Sequence, residues 1–281
     1  MPSPKDIPHL IALLEDDSEM VRENVISALM SFGAELERAA FPYNGNMNPS
    51  QIKALEELYR VLRLREFEST WLNWLDMEEG PKALEFAFSR LAYLNYGYSQ
   101  PLLEELLDEL TDKFYQNAHN REVDDLMSFL FNFEGFAAPK ADYYNPLNSN
   151  LVYVINHHEG IQISLSCLAI LLGNRVGIEL FGVNIPGHFM TISFSNDQVR
   201  IYDCFNKGRP LPNETVSYLV RSMRIDSQSI ETLKAKNHEI LQRVLQNILY
   251  AHARNNNQRE MEYYQVLVER LQGELKSRGL R

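Results

Sequence analysis

Cysteine is scarce in this chain, with only Cys167 and Cys204 among 281 residues. Two thiols build no disulfide framework and fill no four-ligand zinc site, and such usage suits a reducing, cytoplasmic setting. Positive charge is also short. Lys and Arg number 27 against 38 Asp and Glu, and the resulting charge of −11 repels a phosphate backbone, so no nucleic-acid partner is expected. No run approaches the roughly 18 apolar residues of a membrane span. The most apolar stretch, Ile161 to Leu172, is broken by Gln162, Ser164 and Ser166, so no membrane partner is expected either. Met1 to Ile7 carries two prolines and mixed charge where a secretion signal needs a basic start and an apolar run. His-Glu-x-x-His spacing and Gly-rich phosphate loops are missing too, so neither a metal nor a cofactor is implied.

What remains is an ordinary globular composition, 45% hydrophobic and 23% charged, in a chain long enough to bury a sizeable core without staples. Leu10, Leu13, Leu14, Val21, Val25 and Leu29 fall at helical spacing around a turn at Asp16-Asp17-Ser18. This short helix pair resembles a single HEAT unit, too little for a solenoid and better suited to a helical cap. Phe41 to Ser50, rich in Pro, Gly and Asn, predicts a loop, and Ile52, Leu55, Leu58, Leu62 and their neighbours predict a helix after it. Helical spacing continues through residue 115, Arg121 to Phe131 predicts a further helix, and Phe133 to Asn150 an irregular connection.

The texture changes after Gly160. Ile161 to Leu172 is apolar nearly all round, which predicts a central buried helix ending at Gly173-Asn174. Extended runs follow at Glu179 to Asn184, His188 to Phe194 and Val199 to Cys204, the last two joined by a polar turn as an antiparallel hairpin. Ile240 to Leu249 and Leu267 to Leu275 predict two closing helices around Asn255-Asn256-Asn257. Residues 231–281 carry nine basic and six acidic side chains, so the acidity lies elsewhere in the chain.

Two residues stand out chemically. His188 and Asp203 lie on paired strands, where inward-facing side chains come within hydrogen-bond reach, so Asp203 can orient the imidazole and fix its tautomer. That is the orienting part of a triad. A thiol in the first turn of the preceding helix would complete it, because the helix dipole and a nearby imidazolium both lower a thiol pKa. Cys167 is misplaced for this role, about 7.5 Å further along the helix and about 140° around it. Cys204 adjoins Asp203 on a strand, where neighbours point to opposite faces. His157 and His158 precede the helix at the mouth of any cleft, where adjacent His are ordinarily just exposed.

Asn145-Pro146, Asn148-Ser149, Gly160 through Ser166, Gly177, Pro186-Gly187-His188-Phe189 and Asp203 through Gly208 together resemble the SirB family of transglutaminase-like proteins. The likeness covers roughly residues 80 to 275. It implies an α+β fold, with a papain-like/transglutaminase-like core of a central helix on an antiparallel sheet and helical extensions at both ends. The expected parts are a HEAT-like cap over 1–65, the core over 66–225 and a tetratricopeptide-like helical pair over 226–281. In active members of the superfamily the cysteine follows a Gly by two residues and precedes a second Gly by fifteen. Counted from Gly160 and from Gly177, both spacings reach Gln162. The resemblance therefore implies a kept His188–Asp203 pair, now vestigial, and a lost nucleophile at Gln162; SirB relatives commonly carry proline there and also lack the thiol.

A carboxamide cannot form an acyl-enzyme through sulfur. The expected function is accordingly a non-catalytic binding or scaffolding protein with a protein or peptide partner. The alternatives are an amide or acyl hydrolase or transferase that uses His188 and Asp203 with water or a relocated cysteine, and an assembly module in which only the helical ends matter. Oligomeric state is not legible.

Overall fold

The computed structural model describes residues 2–97, 102–118, 120–185, 187–195, 198–222 and 232–280. Pro186 of the Pro-Gly-His-Phe motif, Asn196-Asp197 of the hairpin turn and the expected boundary at 225 lie outside the described residues. The chain forms two compact units, Met1–Asn73 with Ser89–Leu102, and Trp74–Phe88 with Leu103–Arg281.

Helices α1 (Ile7–Ala12), α2 (Glu19–Met30), α3 (Glu35–Ala40) and α4 (Pro49–Thr70) build the first unit, with the later part of α5 (Pro81–Tyr96). Their apolar stripes meet in one core that includes Ile7, Ile11, Leu29, Leu36 and Leu55. Asn48 starts α4. Its Oδ1 accepts from the Ser50 and Gln51 N–H groups at 2.9 Å, and Gln51 Oε1 accepts from the Asn48 N–H at 3.1 Å, a reciprocal cap with Pro49 at the first helical position. Phe41 to Ser50 is thus less of a loop than its composition suggests. A 3-10 turn occupies Phe41–Asn46, and the cap recruits the rest into the helix.

The second unit contains α6 (Leu103–Asn117), α7 (Val123–Ser128), α8 (Leu151–His157), α9 (Gln162–Val176), α10 (Asn213–Ser222), α11 (Asn237–Arg254) and α12 (Gln258–Ser277). It also holds one antiparallel sheet in the order β1 (Phe181–Ile185), β2 (His188–Ser195), β3 (Gln198–Asp203), β4 (Arg209–Pro210). This is the α+β arrangement expected, a central helix against an antiparallel sheet with helical extensions. The two-residue β4 was not anticipated; it pairs Arg209 with Asp203.

Twelve of the fifteen residues of α9 are buried, so the helix occupies the centre of this unit. Its two interior serines find partners: Ser164 donates to the Asn148 carbonyl at 2.7 Å, and Ser166 to the Phe189 carbonyl of β2 at 3.4 Å. The helix runs past the expected stop at Gly173-Asn174 to Val176, and Gly177 closes it in the left-handed region at φ 78°. Gly173 serves close packing instead, since a Cβ there would lie 2.8 Å from the Ile178 carbonyl oxygen.

Arg121 to Phe131, expected as one helix, divides into α7 and a π turn over Phe129–Phe133. Cys204, expected at the end of a strand, instead opens a 3-10 turn over Cys204–Asn206 because Asp203 caps it. Helices α11 and α12 are the two closing helices expected, burying Leu241, Val244 and Leu245 along with Leu267 and Leu271.

Gly160 meets the chain just before α9. A Cβ there would come within 2.8 Å of Ser164 Oγ and 3.0 Å of Val154, both in the packed interior. Gly160→Ala should cost about 1–3 kcal/mol in urea unfolding. Gly45→Ala, where nothing lies within 4 Å, should show no loss.

Candidate functional site

His188 opens β2 and Asp203 closes β3. The register pairs Thr191 with Tyr202, which sets Asp203 opposite Met190 and makes it the diagonal neighbour of His188. Diagonal neighbours remain within reach of long side chains. His188 Nε2 lies 3.0 Å from Asp203 Oδ2, so the two residues singled out from the sequence do meet.

Asp203 has further partners. Its Oδ1 accepts from the Phe205 and Asn206 N–H groups at 3.1 and 3.2 Å, and its Oδ2 accepts from the Asn206 side chain at 2.6 Å. Burial alone would raise its pKa, but the hydrogen bonds from His188 and Asn206 outweigh that and hold the carboxyl below its usual range. Every lone pair is used, so the carboxylate is fixed and the imidazole is held with it. Nδ1 on the other side of the ring is different. It is buried and meets no hydrogen-bond partner among the described residues. Phe205 stands edge-on to the imidazole at 6.5 Å.

Neither thiol fills that vacancy. Cys167 is fully buried, and burial drives its pKa well above the ordinary thiol value. Cys204 Sγ turns to Thr191 Oγ1 at 3.6 Å; burial lifts its pKa to about 11, with hydrogen bonds from Thr191 and Ser166 opposing. Both are unbridged. His157 stacks on Tyr153 at 3.9 Å, and His158 stacks on Phe136 at 4.6 Å with Nε2 3.6 Å from Glu134. These contacts account for both rings without a ligand.

Gln162 is the first residue of α9, and the helix has no side-chain cap. Its carboxamide hydrogen-bonds to nothing among the described residues, His188 included. It borders a cavity of about 230 Å³ with Tyr143, Tyr144, Arg243, Asn247 and Tyr250. The motif residues nearby are structural. Asn145 Oδ1 accepts from the Leu147 N–H at 3.0 Å, and the Asn148 amide donates to the Asp142 and Tyr143 carbonyls at 3.0 and 3.1 Å. Together they shape the turn that presents Tyr143 and Tyr144. The cavity residues on α11 escaped the sequence reading, although Arg243, Asn247 and Tyr250 share one face at i, i+4, i+7.

A central helix against an antiparallel sheet, with an imidazole–carboxylate pair at the strand ends, defines a transglutaminase-like core. Residues 99–246 match the transglutaminase-like superfamily, and the chain belongs to it. The UPF0162 protein of Xylella fastidiosa strain 9a5c is 34% identical over 134 residues, 46% of this chain and 48% of that protein. Its counterpart in strain Temecula1 is 40% identical over 86 residues, 31% of each chain. Human F-box only protein 21 is 30% identical over 139 residues, 46% of this chain and 21% of that protein. The matched segment thus spans about half or less of each relative's length. No solved structure matches.

Two measurements check this geometry. Because the Asp203 pKa is lower folded than unfolded, its ionised form stabilises the fold above the ordinary value of 3.8, and that contribution is lost as pH falls through the folded-state value. Asp203→Asn should lose about 1–3 kcal/mol at pH 7 in urea unfolding, and the gap to the parent should narrow below pH 3.8. Maleimide should leave Cys167 and Cys204 unmodified in the native protein near neutral pH and label both in guanidinium.

Proposed function

We propose that this protein is a non-catalytic binding member of the superfamily, of the SirB type. Gln162 stands in the nucleophile's position, and His188 with Asp203 persists as a vestigial pair. The observation that carries this reading is that neither thiol meets the imidazole, whose buried Nδ1 has no hydrogen-bond partner among the described residues. Without sulfur there is no covalent intermediate, and a triad reduced to its orienting pair retains only binding and positioning. The division expected from the sequence goes with this reading: a cap over 1–65, a core over 66–225 and a tetratricopeptide-like pair over 226–281, of which α11 and α12 form the helices. That pair borders the cavity through Arg243 and Tyr250, which fits a peptide or protein partner. Two unbridged thiols fit a reducing, cytoplasmic setting. No described helix is long and apolar enough to cross a membrane.

The same vacant Nδ1 supports a second reading, in which the imidazole takes a proton from water and the protein hydrolyses an amide or ester directly. Such an enzyme must stabilise a tetrahedral oxyanion without a covalent step.

Restoring a thiol separates the two. Gln162→Cys should react with iodoacetamide near pH 6 at least tenfold faster than a free thiol, and His188→Ala in that background should abolish the advantage. Slow, His188-independent labelling would refute the assignment of residue 162. The parent protein should show no turnover of p-nitrophenyl esters or anilides that His188→Ala removes; His188-dependent turnover would establish the hydrolase.

A further inference from the structure

The cavity beside Gln162 has a charge pattern opposite to that of the chain. The protein carries 38 acidic side chains, yet none of the described residues lining this cavity is Asp or Glu. Among them the one charged residue is Arg243. Among the described residues no carboxylate lies within 4.0 Å of that guanidinium; it hydrogen-bonds to the neutral Asn184 side chain and lies over the Phe189 ring at 5.7 Å. Burial depresses its pKa below the usual arginine value, as expected of a cation losing solvent without gaining an anion. Three other arginines of this unit differ. Arg175 pairs with Glu85 and Asp108, Arg200 with Asp124, and Arg278 with Asp76 and Glu274.

The surroundings of Arg243 narrow the ligand. Asn247 lies one turn along α11, and its carboxamide, like that of Gln162, hydrogen-bonds to nothing among the described residues. Both stand ready to donate. Tyr144 and Tyr250 pack edge to face at 5.7 Å, and Arg254 lies over Tyr144 at 4.9 Å and Tyr250 at 6.0 Å, adding a second cation at the rim. The guanidinium of Arg243 can take a planar carboxylate through two parallel N–H···O bonds. A volume of about 230 Å³ falls below the usual range of drug-sized pockets, roughly 300–1,000 Å³, and suits one residue or a short fragment.

We infer that this cavity binds a carboxylate carried on a peptide, with Arg243 as its ion-pair partner, Gln162 and Asn247 as hydrogen-bond donors, and the tyrosines against the neighbouring apolar group. The inference rests on the binding reading of this site and gives it a ligand class. Gln162 then has a use. An amide donor at the mouth of α9 serves a resting anion, where a thiolate would repel one.

The carboxylate has two sources in a peptide, the C-terminus and an acidic side chain. Three N-acetylated dipeptides distinguish them by ligand-observed NMR titration against the full chain: glycyl-leucine with a free C-terminus, glycyl-leucine carboxamide and glycyl-glutamate carboxamide. Glycyl-leucine carboxamide should bind at least tenfold more weakly than a probe bearing a carboxylate. Preference for the free C-terminus assigns terminal recognition, and equal binding of glycyl-glutamate carboxamide assigns side-chain recognition. Arg243→Gln should lower carboxylate affinity at least tenfold and leave the carboxamide unchanged. Should Arg243→Gln fold poorly, the exposed Arg254→Gln should still weaken carboxylates twofold to fivefold. Equal binding of acid and amide, no binding of any probe, or displacement of the acid by equimolar inorganic phosphate would each overturn the inference. The two claims have separate readouts: His188-dependent ester turnover would defeat the non-catalytic reading and leave carboxylate binding intact, and loss of carboxylate preference would do the reverse.

Discussion

A helix that buries twelve of its fifteen residues has no face to offer solvent, and α9 forces the rest of its unit to be arranged around it. The sheet supplies one wall through β2, while α6, α8 and α11 supply others. Polar groups inside such a packing must be satisfied locally, and Ser164 and Ser166 do this by bonding to the backbone of the 146–149 turn and of β2. Those two bonds tie the segments that flank the site to the same helix. The helix emerges only at its two ends, at Gln162 and at Asn174-Arg175, and the cavity lies at the first of them. Gly160 lets the chain approach that point closely.

The contacts of Asp203 serve the fold before they serve any chemistry. Asp203 caps the turn that redirects the chain after β3, accepting two backbone N–H groups as well as the imidazole. Removing it would orphan the turn donors and leave the ring unpinned, a cost of order 1–3 kcal/mol for each unsatisfied group. Nδ1 tells a different story. A buried nitrogen without a partner is unfavourable, and Nδ1 is the one polar atom of the pair that no described residue meets.

Much of this was legible in the sequence because it rests on periodicity. The apolar circumference of Ile161 to Leu172 identifies the central helix, and the two alternating runs after His188 identify the hairpin. The errors arose where local chemistry overrides pattern. Gly173 looks like a helix stop but is a packing contact, and Asn48 turns an apparent loop into a reciprocal cap. The meeting of His188 and Asp203 could be anticipated from strand pairing, though its diagonal register could not, because register depends on where the turn falls. The cavity was invisible for a plainer reason. Tyr143 and Arg243 are a hundred residues apart, and only the docking of α11 beside the 146–149 turn brings them together.

The electrostatics of that cavity follow from the same docking. Desolvating a guanidinium is costly, and proteins normally offset it with a carboxylate, as this one does for Arg175. Arg243 lies over an aromatic ring and against a neutral amide, which lessens the cost without cancelling the charge. In a chain of net charge −11, leaving acids out of the lining keeps a local positive potential that pairing would erase. A thiolate at residue 162 would have drawn on that potential to stay ionised. Gln162 is a neutral amide, so the potential stays available to an incoming anion.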